Sequence, residues 1–330
     1  MICTLGMAVL ILDSKTALTS ARDGIQLCLQ TVIPSLFPLV VLSGILNGAI
    51  LGAETKALSP IAKLLHIPQR AVSLLMVGFL GGYPMGASCV AAAVKNGAIA
   101  KRDGERMLAF CSNCGPAFIF GMGMQLFPRL WICFIAWGIH ILSALITGML
   151  TGGYSTQDAS CLKASSASIS HVLQNSVKVM ASICGWVVIF RVLIGFTDRW
   201  ILWAVPNSVH TMIAGILEMS NGVCLLSSID GLGERLAIFC FLVSFGGGCV
   251  WLQTATVCEG LDISLYFPGK LTQGAISVLL SVCVQPLFST QERCQFSMVP
   301  IAICVIVCVI FAIWTKKSAN SIGKVQLAGV

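Results

Sequence analysis

The chain has 330 residues, of which 57% are hydrophobic and 10% are charged, with a formal net charge of +7. An average soluble protein carries roughly 25% charged residues, so this composition excludes a water-facing globular surface. The basic residues sit between apolar runs, which signals membrane orientation and excludes nucleic acid as a partner.

At about 20 apolar residues per crossing helix, the length allows eight to ten membrane segments. In chain order, Met1 to Leu12 is an apolar run too short for a ~17-residue span and lacks the basic start of a signal peptide. It reads as a short first helix or the truncated start of one. Long uninterrupted spans are predicted at 27–51, 131–151, 177–196, 267–288 and 298–314.

Two other apolar regions are broken, 71–94 by Gly81-Gly82-Tyr83-Pro84-Met85-Gly86 and 212–229 by Glu218-Met219-Ser220-Asn221-Gly222. Hydrocarbon cannot satisfy the backbone groups freed at such breaks, so these must be buried in protein or face a water-filled cavity. A further segment follows each. The first starts with Glu105-Arg106 and is interrupted at Ser112-Asn113-Cys114-Gly115-Pro116. The second starts with Glu234-Arg235 and is interrupted at Ser244-Phe245-Gly246-Gly247-Gly248.

Long span, broken hairpin, interrupted helix and long span therefore occur twice, and Gly78-Phe79-Leu80 matches Gly215-Ile216-Leu217. The expected fold class is an all-α polytopic membrane protein with two inverted repeats, each holding a re-entrant helical hairpin and an interrupted transmembrane helix. The expected division is a short N-terminal segment and connector (1–26), a first repeat (27–151), a polar linker (152–171), a second repeat (172–288), and a last span with a basic tail (289–330). Shared membrane composition is the alternative source of the likeness.

Re-entrant hairpins place thirteen of the twenty basic residues on one face, Lys178 and Lys270 included, and seven on the other. The richer face is then cytoplasmic, with the C-terminus. Glu105-Arg106 and Glu234-Arg235 read as interfacial helix starts, with acids near the positive dipole end.

Glu218 stands first among the candidate functional residues, being the one carboxylate in the apolar stretch 209–226. An ionisable group at membrane depth is by default a functional hypothesis. It could carry a coupling proton, bind a cation or accept a hydrogen bond from a solute, or else pair quietly at the interface. Ser220 and Asn221 add uncharged donors and acceptors. Gly82 frees backbone at the first break, where Tyr83 either stacks on a planar ligand or packs.

Ser112, Asn113 and Ser244 mark the two interruptions, and Gln253 is the polar residue of the second half-helix. Half-helix N-termini favour anions, and paired interrupted segments point to a transporter's site. The glycines also suit close helix packing. The sixteen cysteines lie mostly in apolar runs and act as small hydrophobes. Cys111-x-x-Cys114 has redox or metal spacing, but no second pair and no nearby His completes it. The four histidines show no ligand spacing, and no P-loop, HExxH or GxSxG is present. No cofactor, metal or catalytic residue is expected, and the protein reads as a non-enzyme.

Pro34-x-Leu36-Phe37-Pro38, Gly81-Gly82-Tyr83-Pro84-x-Gly86 and Phe110-Cys111-Ser112-Asn113-x-Gly115-Pro116-x-Phe118-Ile119 form an ordered set of motifs. Glu218-x-x-Asn221-Gly222 and Ser244-Phe245-Gly246-Gly247, followed by Gln253, continue it. The set resembles the YlbJ-type sporulation integral membrane proteins, which carry the nucleoside-recognition or Gate domain also found in concentrative nucleoside transporters and ferrous iron transporter proteins. The match covers roughly 20–290.

The resemblance implies a multi-pass protein of the cell membrane of a spore-forming bacterium, with two Gate-like repeats around a translocation site. Dipicolinate and nucleosides are the solutes it suggests. The leading expectation is therefore a secondary carrier or facilitator for a small polar or anionic solute, embedded in the lipid bilayer and compatible with a homo-oligomer. A non-transporting scaffold or sensor in spore-envelope assembly is the alternative.

Overall fold

The computed structural model describes residues 2–50, 58–152, 168–201, 204–288 and 302–315. Most of the 152–171 linker, Lys56, Lys163, Arg293 and the tail lysines 316, 317 and 324 lie outside the described residues. Among the described residues all regular structure is helical. Six stretches of the described residues are long and apolar enough to cross a membrane: Ser14–Leu42, Lys101–Leu126, Leu130–Leu150, Ile169–Trp200, Leu232–Val257 and Tyr266–Leu287. This is fewer than the eight to ten that the length allows; the hairpin arms Ala71–Gly81 and Met85–Lys95 and the helix Ala302–Thr315 are apolar but shorter than a span.

Helix patterning runs inside out. Helix α9 (Leu130–Leu150) buries His140, Ser143 and Thr147 and exposes Phe134 and Leu142. A surface helix in water does the reverse. The inward hydroxyls are satisfied within the helix, Ser143 by the His140 carbonyl at 2.9 Å and Thr147 by that of Ser143 at 2.8 Å. This is a polytopic membrane protein with an apolar exterior and a polar centre.

The N-terminus departs from the sequence reading. Helix α1 (Ile2–Leu12) is followed by α2 (Ser14–Leu27), a π-helical turn (Cys28–Val32) and α3 (Ile33–Ile50). The first long helical stretch thus begins at Ser14 rather than Leu27. The charges within the expected 1–26 connector face one long helix, α10 (Ile169–Trp200). Arg191 pairs with Asp23 at 3.1 Å and Arg199 with Asp13 at 3.2 Å. The π turn ends beside Pro34, which brings no N–H to continue the α ladder.

After α4 (Ser59–Leu65) comes a hairpin of α5 (Ala71–Gly81) and α6 (Met85–Lys95), then the interrupted helix α7 (Lys101–Cys111) and α8 (Pro116–Leu126), then α9. The same order recurs after α10. A hairpin of α11 (Asn207–Leu217) and α12 (Met219–Leu225) precedes an interrupted helix, α13 (Leu232–Phe245) and α14 (Gly247–Val257), and then α15 (Tyr266–Cys283). Corresponding helices meet: α3 packs on α10, α9 on α15, and α7 touches α15 as α13 touches α9. The interrupted helices are innermost, 72% and 78% buried against 17% for Ser14–Leu42.

Glycine sets the approach within each hairpin. A Cβ at Gly78 would lie 1.9 Å, and at Gly86 2.1 Å, from the Cys111 carbonyl oxygen, so the first interrupted helix rests directly on both arms. In the second hairpin a Cβ at Gly222 would lie 2.3 Å from the Gly215 Cα, and both glycines face the Leu242 side chain of α13 rather than its backbone. The pairing of Gly78 with Gly215 read from sequence is thus a pairing of like packing positions.

The two motif arginines are held by backbone carbonyls. Arg106 is 8% exposed and donates to the Leu65 carbonyl at 3.0 Å, the Gly152 carbonyl at 2.8 Å and the His66 carbonyl. Arg235 donates to the carbonyls of Ile229 at 2.5 Å and Leu126 at 2.7 Å. Each guanidinium ties together carbonyls at the ends of neighbouring segments, where a cation also suits the helix dipole. Arg106→Met should lower stability by about 3 kcal/mol, since hydrogen bonds to a charged group contribute roughly 1.5–3 kcal/mol each. Arg106→Lys should recover only part of that in a detergent melting experiment, because one ammonium cannot reproduce the fork.

Candidate functional site

Each helix break has a local cause. Helix α7 stops at Ser112 because Pro116 must open a new helix, with Pro at its first position. Helix α13 stops at Gly246, whose φ of +83° is the left-handed cap that glycine tolerates. Gly82, with φ +78°, ends α5 and leaves room for Gly115, 3.3 Å from where its Cβ would be. Glu218 separates α11 from α12 and caps the latter. Its carboxylate accepts from Ser220 N–H at 3.1 Å, Asn221 N–H at 2.8 Å and the Asn221 side-chain amide at 2.7 Å. The role usually falls to Ser, Thr, Asp or Asn; here a longer acid performs it at 2% exposure.

The carbonyls freed at the interruptions are satisfied from the opposite copy. At the first, Lys270 of α15 donates to the Ser112 carbonyl at 2.8 Å, to Asn113 Oδ1 at 3.4 Å and to Gln273 Oε1 at 2.5 Å. At the second, the Tyr83 hydroxyl donates to the Val243 and Ser244 carbonyls, both at 3.1 Å. The Tyr83 ring approaches Gly246, where a Cβ would lie 3.1 Å from its Cζ, and the Lys270 ammonium stands 5.0 Å from the ring centroid.

His140 bridges the two breaks. The Cys114 N–H donates to its Nε2 at 3.1 Å, and Nδ1 lies 3.0 Å from the Ser244 hydroxyl. A backbone N–H only donates, so Nε2 holds a lone pair and a neutral ring carries its proton on Nδ1.

A small cavity of about 30 Å³ lies among Val32, Leu36, Tyr83, Glu218, Ser220 and Gln253. It has room for a water molecule or two, far below the ~300 Å³ of an ordinary ligand pocket. A wider cleft of about 170 Å³ follows the same helices toward the Lys95 end of α6. Its lining takes up α3 at Val40, α6 at Met85 and Ser88, and α10 at Val179 and Asn175, one or two turns beyond the cavity residues.

Of the residues singled out from sequence, Tyr83, Glu218, Ser220 and Gln253 line the cavity. Asn221 holds Glu218 from behind, Gly82 shapes the Tyr83 turn, and Ser112, Asn113 and Ser244 belong to the adjoining polar cluster. Asn113 and Ser244 are therefore beside the cavity rather than in its wall.

Three participants were missed. Lys270, counted among the basic residues of one face, is 1% exposed, and removing it leaves that count at twelve to seven. Gln273 donates to Asn113 Oδ1 at 3.0 Å, and His140 is fully buried. Their signal was available, because both Lys270 and His140 are ionisable residues inside predicted spans.

Tyr83→Phe isolates the hydroxyl's share. It should lower stability by about 1–2 kcal/mol, the loss of one donor to two buried carbonyls, while the ring keeps its place. Detergent melting of the purified variant measures this, with Tyr83→Ala expected to lose more.

No family model matches the chain, and no solved structure matches it. Over 86% of its length it is similar to the sporulation integral membrane protein YlbJ of Bacillus subtilis (strain 168), at 22% identity across 81% of that protein. The chain is thus similar, at modest identity, to a sporulation integral membrane protein of the YlbJ type.

Proposed function

We propose that the protein is a secondary carrier or facilitator that moves a small polar or anionic solute across the cell membrane of a spore-forming bacterium. The observation that carries this reading is the convergence of both hairpin turns and both helix interruptions on one polar cluster beside a water-sized cavity, with a wider cleft lined by further turns of the same helices. Irregular backbone at membrane depth is tolerated where it serves a cavity.

The two copies are read as inverted repeats. Reciprocal packing of corresponding helices and the cross-copy satisfaction of each break support this. The C-terminus is then cytoplasmic. A solute binds when the hairpins part from the interrupted helices, since the resting cavity holds only water-sized contents.

Lys270 supports the anionic preference. No carboxylate of the described residues pairs with it, so a bound anion would meet an uncompensated positive charge through the Tyr83 wall. Dipicolinate and a nucleoside are the first solutes to test.

Vesicles containing the wild type should accumulate one of them, and Glu218→Gln should cut that rate at least tenfold with folded protein retained. Absence of movement of either solute by folded wild type would turn the reading toward a membrane scaffold. Full activity in Glu218→Gln would remove Glu218 from the site.

A further inference from the structure

Lys270 sits only four residues into α15, yet lies deep. Helix α15 and the loop before it run alongside α7, with Asp262 N–H on Glu105 at 2.9 Å, Gly269 against Ala109, and Lys270 on Ser112. Seven residues separate Glu105 from Ser112, or about 10 Å at 1.5 Å per residue. The ammonium therefore reaches the middle of the interrupted helix, at the end of α7 where the dipole is negative.

The cage around the ammonium consists of three neutral oxygens: a backbone carbonyl and two side-chain amide carbonyls. An ammonium has three N–H donors, and all three are used. A neutral amine has two N–H groups and would turn its lone pair onto one of these oxygens, so the cage fits the cation.

The oxygens are held in place independently of the lysine. The Asn113 amide N–H donates to the Phe110 carbonyl at 2.8 Å, and the Gln273 amide N–H to Asn113 Oδ1 at 3.0 Å and the His140 carbonyl at 3.4 Å. Neutral carbonyl-type oxygens in place of a hydration shell are how proteins bind alkali cations. In transporters with discontinuous helices, such ions bind at unwound carbonyls and half-helix C-termini.

We propose that the Lys270 ammonium is a built-in cation, occupying at the first interrupted helix the place that a coupling alkali ion would take. Solute movement then needs no sodium, and removing the ammonium creates a site for a small monovalent cation. With its three donors spent on the cage, Lys270 acts on a solute by charge across the Tyr83 ring and not by direct contact. The claim about sodium rests on the carrier reading; the claim about the cage does not.

The test is the unfolding temperature of purified wild type, Lys270→Ala and Lys270→Met in chlorides of sodium, ammonium, methylammonium and choline at one ionic strength. Wild type should melt alike in all four. Lys270→Ala should gain about 5 °C or more in at least one small cation relative to choline, saturably, as binding to the folded state alone requires. Lys270→Met, whose side chain fills the stem's space, should not respond.

Equal melting of Lys270→Ala in every salt overturns the proposal, as does a sodium-specific rise in the wild type. So does failure of every cation to restore folded Lys270→Ala when Lys270→Met folds. Vesicle uptake by the wild type should be unchanged when sodium is replaced by choline, and sodium-dependent uptake overturns the claim of independence. Absence of uptake in every salt counts against the carrier reading alone, and melting then decides the cage.

Discussion

Gly86→Ala should remove most folded protein from the membrane, a loss of more than about 4 kcal/mol. The added methyl would stand 2.1 Å from the Cys111 carbonyl oxygen and 3.0 Å from the Gly78 Cα, both backbone atoms that no rotamer change can move. Relief would require the interrupted helix to lift off the hairpin, taking the Ser112–Asn113 break away from Lys270. Against a total stability of about 5–15 kcal/mol, that is close to unfolding.

The second copy supplies an internal control. The atoms nearest a methyl at Gly215 belong to the Leu242 side chain, the first at 2.5 Å. Gly215→Ala should therefore lose about 1–3 kcal/mol and recover when Leu242 is also shortened to Ala. Gly121→Ala, with nothing within 4 Å, should be neutral or gain up to about 1 kcal/mol from helix propensity. Chromatographic profiles and melting temperatures of the solubilised variants would order the four.

Glu218→Ala is the second large effect. It strips the acceptor from three buried donors, two backbone N–H groups and the Asn221 amide. At about 1–3 kcal/mol for each of the three buried donors left unsatisfied, a loss of about 3–9 kcal/mol is expected, with partial unwinding of α12. Glu218→Gln keeps one carbonyl oxygen and turns an NH2 toward the donors, so it should lose about half as much. The order wild type, Gln, Ala in detergent melting checks the cap. A Gln variant that folds but fails in uptake would separate the charge of Glu218 from its structural duty. Equal stability of Ala and wild type would show that the cap contributes nothing.

Both effects act on the same centre. The hairpin glycines fix how near the interrupted helices come, and the capping carboxylate fixes where the second hairpin turns. Tyr83 then spans from the first hairpin to the second interruption, while Lys270 fills the first. Parting these contacts would open the 30 Å³ cavity into the cleft beyond it.

Apolar length, low charge and the position of Gly and Pro determined the helical class, both hairpins, both interruptions and their twofold order, because these depend on local backbone chemistry and on the bilayer. The same local evidence marked Tyr83, Ser112, Asn113, Glu218, Ser220, Asn221, Ser244 and Gln253, since a break in an apolar run advertises its own polar residues. Only the tertiary structure decided that Asn113 and Ser244 stand beside the cavity, that Arg106 and Arg235 tie carbonyls at the ends of neighbouring segments, and that α2 extends the first long helix through Lys15 and Arg22. It also brought in Lys270, Gln273 and His140: an ionisable side chain inside an apolar span marks Lys270 and His140 locally, but only the packing shows which break each one serves. The depth of Lys270 follows from the parallel run of α15 beside α7. A partner more than 150 positions away sets that depth, beyond the reach of any local reading of the sequence.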